Sequence, residues 1–105
     1  MSISTAYRVD IKEAALRDLA DLMDFLRTVK SRESAHRYID VMTSEVQSLS
    51  IFADLYRPSA MADIRRIHPK ARRMVSHNRR WVYVFHIEGD LVVVDRIRPA
   101  KTIKG

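Results

Sequence analysis

The residues of this chain that could do chemistry are mostly basic and gather late. Arg65, Arg66, Lys70, Arg72, Arg73, Arg79, Arg80, Arg96, Arg98, Lys101 and Lys104 all lie in residues 61–105, which carry a net charge of +7 against −1 for residues 1–60. Guanidinium groups brought together on a sheet face can hold phosphates bidentately and stabilise charge on a pentacoordinate phosphorus. A solvated basic face is the plainer alternative, but charge confined to one half favours a polyanion or an acidic protein as ligand. In a strand, Arg72 and Arg73 point to opposite faces, as do Arg79 and Arg80, whereas Arg96 and Arg98 share one.

His77 and His86 are the candidate proton-transfer groups, because imidazole titrates near neutrality. His86 falls on the Val82/Val84 face of its strand, near Arg96 or Val94 across a hairpin; the alternative is a histidine tucked into the sheet and hydrogen-bonded there. His77, before Asn78, reads more simply as a turn residue. His36 and His68 are isolated and receive no role, and Tyr83, on the Trp81/Phe85/Ile87 face, reads as packing.

Other chemistries find no support. There is no cysteine, so there is no thiol nucleophile, thiolate metal site or disulfide framework. Gly89 and Gly105 are the only glycines, which excludes a glycine-rich phosphate loop. No histidine pair stands at ligand spacing and no acidic residue suggests a facial triad, so neither a metal nor any other cofactor is expected. No nucleophile-elbow pattern supports a Ser/His/Asp triad.

The elements that must position these groups follow from hydrophobic period. Tyr7, Val9 and Ile11 alternate with Arg8, Asp10 and Lys12, as in a half-buried strand. Ala15, Leu19, Leu22, Met23, Leu26 and Val29 then recur at helical spacing, predicting an amphipathic helix over Glu13–Val29. Ser31 is a plausible cap for a second helix, whose stripe from Ala35 through Tyr38, Ile39, Met42, Val46 and Leu49 runs to about Ala53. The short link between the two implies an antiparallel hairpin.

Residues 54–69, bracketed by Pro58 and Pro69, predict either a short helix through Ile67, capped by Ser59, or a functional loop. Arg72–His77 reads as a strand. Trp81–Ile87, apolar on both faces, reads as a central one. Glu88-Gly89-Asp90 is a turn, Leu91–Ile97 is the hairpin partner, and Arg98–Gly105 is a basic tail. The expected fold is α+β, in the order β-α-α-β-β-β, with the helical hairpin on one face of a small antiparallel sheet. Every functional reading then requires arginines from separate C-terminal strands to meet on the face that the hairpin leaves uncovered.

At 105 residues with 47% hydrophobic residues and a net charge of +6, the chain suits a single domain, 1–105. No apolar run approaches the ~20 residues that span a bilayer. Met1–Thr5 does not open a signal peptide, so a soluble cytoplasmic protein is expected.

Four stretches carry a family resemblance. Tyr7-Arg8-Val9-Asp10-Ile11 followed by Ala14-Ala15-Leu16-Arg17-Asp18-Leu19 is similar to the opening of RelE/ParE-type toxins, the small basic toxins of bacterial type II toxin–antitoxin modules. The second helix with Ala35, Tyr38 and Ile39, then Leu49 and Pro58, is similar to their middle. Arg72–Asn78 leading into Trp81–Asp90 resembles their closing strands, and Val92–Ile97 their last strand. The resemblance covers nearly the whole chain in pattern.

It implies a toxin neutralised by a cognate antitoxin, whose acidic segment folds on binding, in a hetero-oligomer. It also implies one of two targets: mRNA in the ribosomal A site, cut by a metal-independent endoribonuclease, or DNA gyrase, poisoned without catalysis. A degenerate, non-toxic binding module on the same fold is a third reading. For RNA cleavage the resemblance points to Arg72, Arg73, Arg80, His86 and Arg96 as the catalytic set. Lys70, Arg79, Arg98 and Lys101 are then candidates for nucleic-acid or antitoxin binding. Arg96-Ile97-Arg98-Pro99 stands where many ribonuclease relatives carry a histidine followed by basic residues, and the length of the helical hairpin is closer to ParE-like members.

Overall fold

A computed structural model describes residues 6–102. The elements run β1 (Arg8–Ile11), α1 (Glu13–Val29), α2 (Arg32–Gln47), α3 (Leu49–Phe52), a 3-10 turn (Ala53–Leu55), α4 (Ala62–Ile67), β2 (Arg72–Val75), β3 (Trp81–Glu88), β4 (Leu91–Pro99) and a closing 3-10 turn (Ala100–Thr102). The α+β order expected from the sequence is present, and of the two readings of residues 54–69 the short helix ending at Ile67 is the one found, as α4. Lys104 and the start of the chain lie outside the described residues.

Local chemistry sets the helix ends. The Ser31 side chain caps α2 by accepting from the Ser34 N–H at 3.1 Å. The expected second helix breaks at Ser48, whose hydroxyl donates to the Glu45 carbonyl. Such local bonds compete with the helical ladder, and the chain resumes as α3. Ala15, Leu22 and Leu26 of α1 join Ala35, Met42 and Val46 of α2 in one core with Tyr83, Phe85, Val92, Val94 and Ile97 of the sheet.

The strand order is β1-β4-β3-β2. Pairs β2–β3 and β3–β4 are antiparallel, but β1 lies parallel to β4, Arg8 opposite Leu91 and Ile11 opposite Val94, so the sheet is mixed. The helices carry the chain away from β1, and the sheet's return leg brings β4 back alongside it. A register shift at Val84/Phe85 makes Asp95 an extra residue: Val84 opposes Arg96 and Phe85 opposes Val94. This bulge lets β4 turn Val92, Val94 and Ile97 into the same core although the last two are three apart.

The second face is not bare. Ile64 of α4 and Ala71 pack on Val82 and Val84 in a separate core, with Met61, Ile67 and Ala100 beside them. Ser59 does not cap α4; it accepts from the Met61 N–H at 3.1 Å, and Met61 occupies the cap position.

Candidate functional site

Position 86 is where the two layers and the hairpin meet. β3 lies between β2 and β4, and the His86 side chain is only 2% exposed. Its Nδ1 stands 2.6 Å from Asp95 Oδ2, and its Nε2 hydrogen-bonds Glu88 Oε2. Lys12 Nζ sits 3.3 Å from the other Asp95 oxygen. The His68 ring stacks on His86 with centroids 3.7 Å apart and planes 4° from parallel, and its Nδ1 accepts from the Lys70 N–H at 3.0 Å.

A ring facing carboxylate oxygens at both nitrogens donates to both only as imidazolium. The hydrogen bond from His86, then its charge, holds the Glu88 carboxyl below the usual carboxylate range. Both ring nitrogens face carboxylates rather than open solvent, so in this arrangement neither is presented to a substrate. The alternative of a histidine tucked into the sheet describes it.

Register explains why the arginines do not converge. Arg73, Val84 and Arg96 form one row across the sheet, but Ile64 packs on Val84 between the two basic residues. Arg73 is exposed on the far side of that contact. Arg72 opposes Phe85, and its Nη1 donates to the Tyr56 carbonyl at 2.7 Å. Arg96 grips Asp18 of α1 through Nε (2.8 Å) and Nη2 (2.9 Å), and Asp18 also accepts from the Ile97 N–H. That carboxylate, hydrogen-bonded first and charged second, raises the Arg96 pKa further. It also stands in for a neighbouring strand where β1 has ended and β4 continues.

Two basic regions result. Lys12, Arg66, Arg96 and Arg98 line a cleft of about 600 Å³ together with Asp63 and Asp95. The acids answer most of those cations: Arg66 pairs with Asp63, Lys12 with Asp95 and Arg96 with Asp18. Arg98, whose buried Nε has no hydrogen-bond partner, is the exception. At the far end of the sheet, Arg79, Arg80 and Lys101 surround a smaller hollow of about 380 Å³ beside Trp81 and Pro99. None of these three forms an ion pair among the described residues. Arg79 holds a positive φ of 63°, strained for a residue with a Cβ, at the tip of the turn. Lys70 lies exposed next to His68, apart from both regions.

A polar network that the sequence reading missed anchors that turn. Trp81 Nε1 donates to the Tyr38 hydroxyl at 2.8 Å, as does Asn78 Nδ2 at 3.0 Å. Glu45 accepts from the Tyr83 hydroxyl at 2.6 Å and from the His77 N–H at 2.7 Å. Burial first, then the bond to Glu45, pushes the Tyr83 hydroxyl well above the ordinary tyrosine range. The signal available in sequence was spacing: Tyr38 and Glu45 are two helical turns apart on one face. His77 is an exposed turn residue, as its alternative reading held, and His36 is exposed on α2.

The sequence reading expected no clustered metal ligands, yet the fold gathers His68, His86 and Glu88, with ligand atoms all within 4.8 Å of one another. His86 and Glu88 are two apart on one strand and share a face, a spacing that the reading passed over.

A helical hairpin on one face of a four-stranded mixed sheet, with its basic residues in the closing strands, has the architecture of a RelE/ParE-type toxin. The sequence matches the family model described as "ParE toxin of type II toxin-antitoxin system, parDE" over residues 9–103, and the chain belongs to that family. A solved structure described as the chromosomal ParDE TA system from P. aeruginosa is similar in fold, with a TM-score of 0.76 and 19% sequence identity over 91% of this chain and 98% of that one. No curated protein matches the sequence significantly. No helix among the described residues is long and apolar enough to cross a membrane.

Proposed function

We propose that this chain is the toxin of a toxin–antitoxin pair and acts by binding DNA gyrase rather than by cutting RNA. One observation carries the choice of target: of the five residues expected to cleave RNA, three are engaged inside the fold. His86 is buried between Asp95 and Glu88, Arg96 is held by Asp18, and Arg72 is spent on the Tyr56 carbonyl. Arg73 and Arg80, the remaining two, are exposed. Membership in the ParE family agrees with this reading.

The surface offered to a target is then Arg79, Arg80 and Lys101 around Trp81, a rigid basic end pinned to α2 through Tyr38 and Glu45. An antitoxin has an apolar surface available elsewhere. Phe25 and Val29 of α1, Val41 of α2 and Ile51 of α3 are more than half exposed, more large apolar side chain than a solvated helical layer needs. A groove of about 350 Å³ between α1 and β4 runs from Phe25 to Pro99 and connects that layer to the basic end. A segment that lays apolar residues on the helices and acidic ones at Arg79 and Arg80 would occlude the same end the target needs.

The test is a gyrase reaction with purified chain, plasmid DNA and ATP, run beside primer extension on translated mRNA. Trapped gyrase–DNA cleavage products without RNA cuts are expected. Replacing Arg79, Arg80 and Lys101 with alanine should reduce trapping at least tenfold while the thermal midpoint is held. Cuts in translated codons with gyrase unaffected would restore the ribonuclease reading. Harmless expression of the chain without an antitoxin would favour the non-toxic module.

A further inference from the structure

We propose that His68, His86 and Glu88 bind a divalent transition-metal ion of the Zn²⁺ type, with Asp95 orienting His86 from behind. The inference does not depend on what the toxin attacks.

Three features support it. Two imidazoles and one carboxylate are a donor set that suits Zn²⁺ and similar ions. Their ligand atoms already lie within 4.8 Å of one another, and they come from two segments distant in sequence, β3 and the turn after α4. In a tetrahedral zinc site, ligand atoms 2.0–2.1 Å from the ion lie about 3.3 Å apart, so Glu88 needs only a small shift and the larger movement falls to the His68 ring. Glu88 is exposed and free to draw back from His86 by the fraction of an ångström that an intervening ion requires.

The third feature is the carboxylate behind the ring. Metal-bound histidines typically donate their other nitrogen to a carboxylate, which fixes the tautomer and turns the free nitrogen to the ion. Asp95 Oδ2, 2.6 Å from His86 Nδ1, is placed to do this, and only the β4 bulge puts an aspartate there. Lys12 neutralises the remaining Asp95 oxygen from an exposed position.

The cost is local. His68 must rotate out of its parallel stack on His86 and release the Lys70 N–H, because stacked rings do not aim their nitrogens at a common point. An ion replacing the His86–Glu88 proton would tie α4's trailing turn to β3 and so clamp the layer over Val82 and Val84. With three protein ligands the fourth position stays open to water.

The experiment titrates Zn²⁺ into tag-free, chelator-stripped, full-length protein by calorimetry, with Co²⁺ as a spectroscopic reporter. One ion per chain is expected, together with a higher thermal midpoint and the visible bands of tetrahedral Co²⁺. His68→Asn and Glu88→Gln should each weaken binding at least tenfold, while their metal-free circular dichroism matches that of the parent. Asp95→Asn should weaken it by about 10–100-fold. A double variant of the other two histidines, His36→Asn with His77→Asn, should bind as the parent does. No saturable binding would overturn the proposal, as would undiminished binding by both His68→Asn and Glu88→Gln.

Discussion

At the scale of single residues, the cluster around His86 shows how a titratable side chain is turned to structure. Glu88 lies below the usual carboxylate range because His86 donates to it, so its folded-state value is lower than its unfolded one. A carboxylate of that kind adds stability that is present above the ordinary carboxylate range and lost as pH falls through the lowered value. Urea unfolding of the parent and of Glu88→Gln should therefore differ at pH 7, begin to approach each other near the ordinary carboxylate value of about pH 4, and converge only below the lowered value of Glu88. A difference that persists unchanged into acid would disprove the linkage.

His86 was visible in the sequence as a residue of interest, and its burial was one of its two readings. Its neighbours were not visible. Asp95 reaches it only because β4 carries a bulge, and His68 only because α4 folds back over the sheet. Neither event leaves a local mark. The same holds for Asp18 and Arg96, which meet across the gap where β1 stops short of β4.

At the scale of elements, what was legible was periodic. Period two marked β1, apolar runs on either side of the Glu88-Gly89-Asp90 turn marked β3 and β4, and the 3.6-residue stripes marked α1 and α2. The segment between Pro58 and Pro69 was legible only as a choice between helix and loop. It offers a single fully buried large side chain, Ile64, too little to show that it covers a second face. That side chain nonetheless decides whether the arginines of β2 and β4 can meet. Ile64→Ala should cost about 2–5 kcal/mol by deleting buried methyl groups and leaving a cavity, read as a shift in the urea midpoint. Faster tryptic cleavage at Arg65, Arg66 or Lys70 should accompany it. A loss under about 1 kcal/mol would mean that α4 rests on the sheet without holding it.

At the scale of the whole molecule, strand order was the part that no local pattern could supply. Hydrophobic alternation says that a strand has an inner face, not which strand lies beside it or in which direction. The parallel join of Arg8 to Leu91 ties the first strand to the last, and β4 is bonded to β3 on its other side. β4 is thus the piece on which the large core closes, through Val92, Val94 and Ile97. Pairings so distant in sequence form late and slowly, because loop closure must precede the contacts that reward it.

Translation runs from the amino end, so β4, which completes this sheet, leaves the exit tunnel after the helices and the strands it joins. A nascent chain halted at Gly89 should remain fully open to protease, and the released full-length chain should resist it; equal resistance would show that the earlier elements fold unaided. The consequence is a built-in delay: no nascent chain short of β4 carries the finished basic end, and an inhibitor supplied in that interval would meet the toxin as it takes shape.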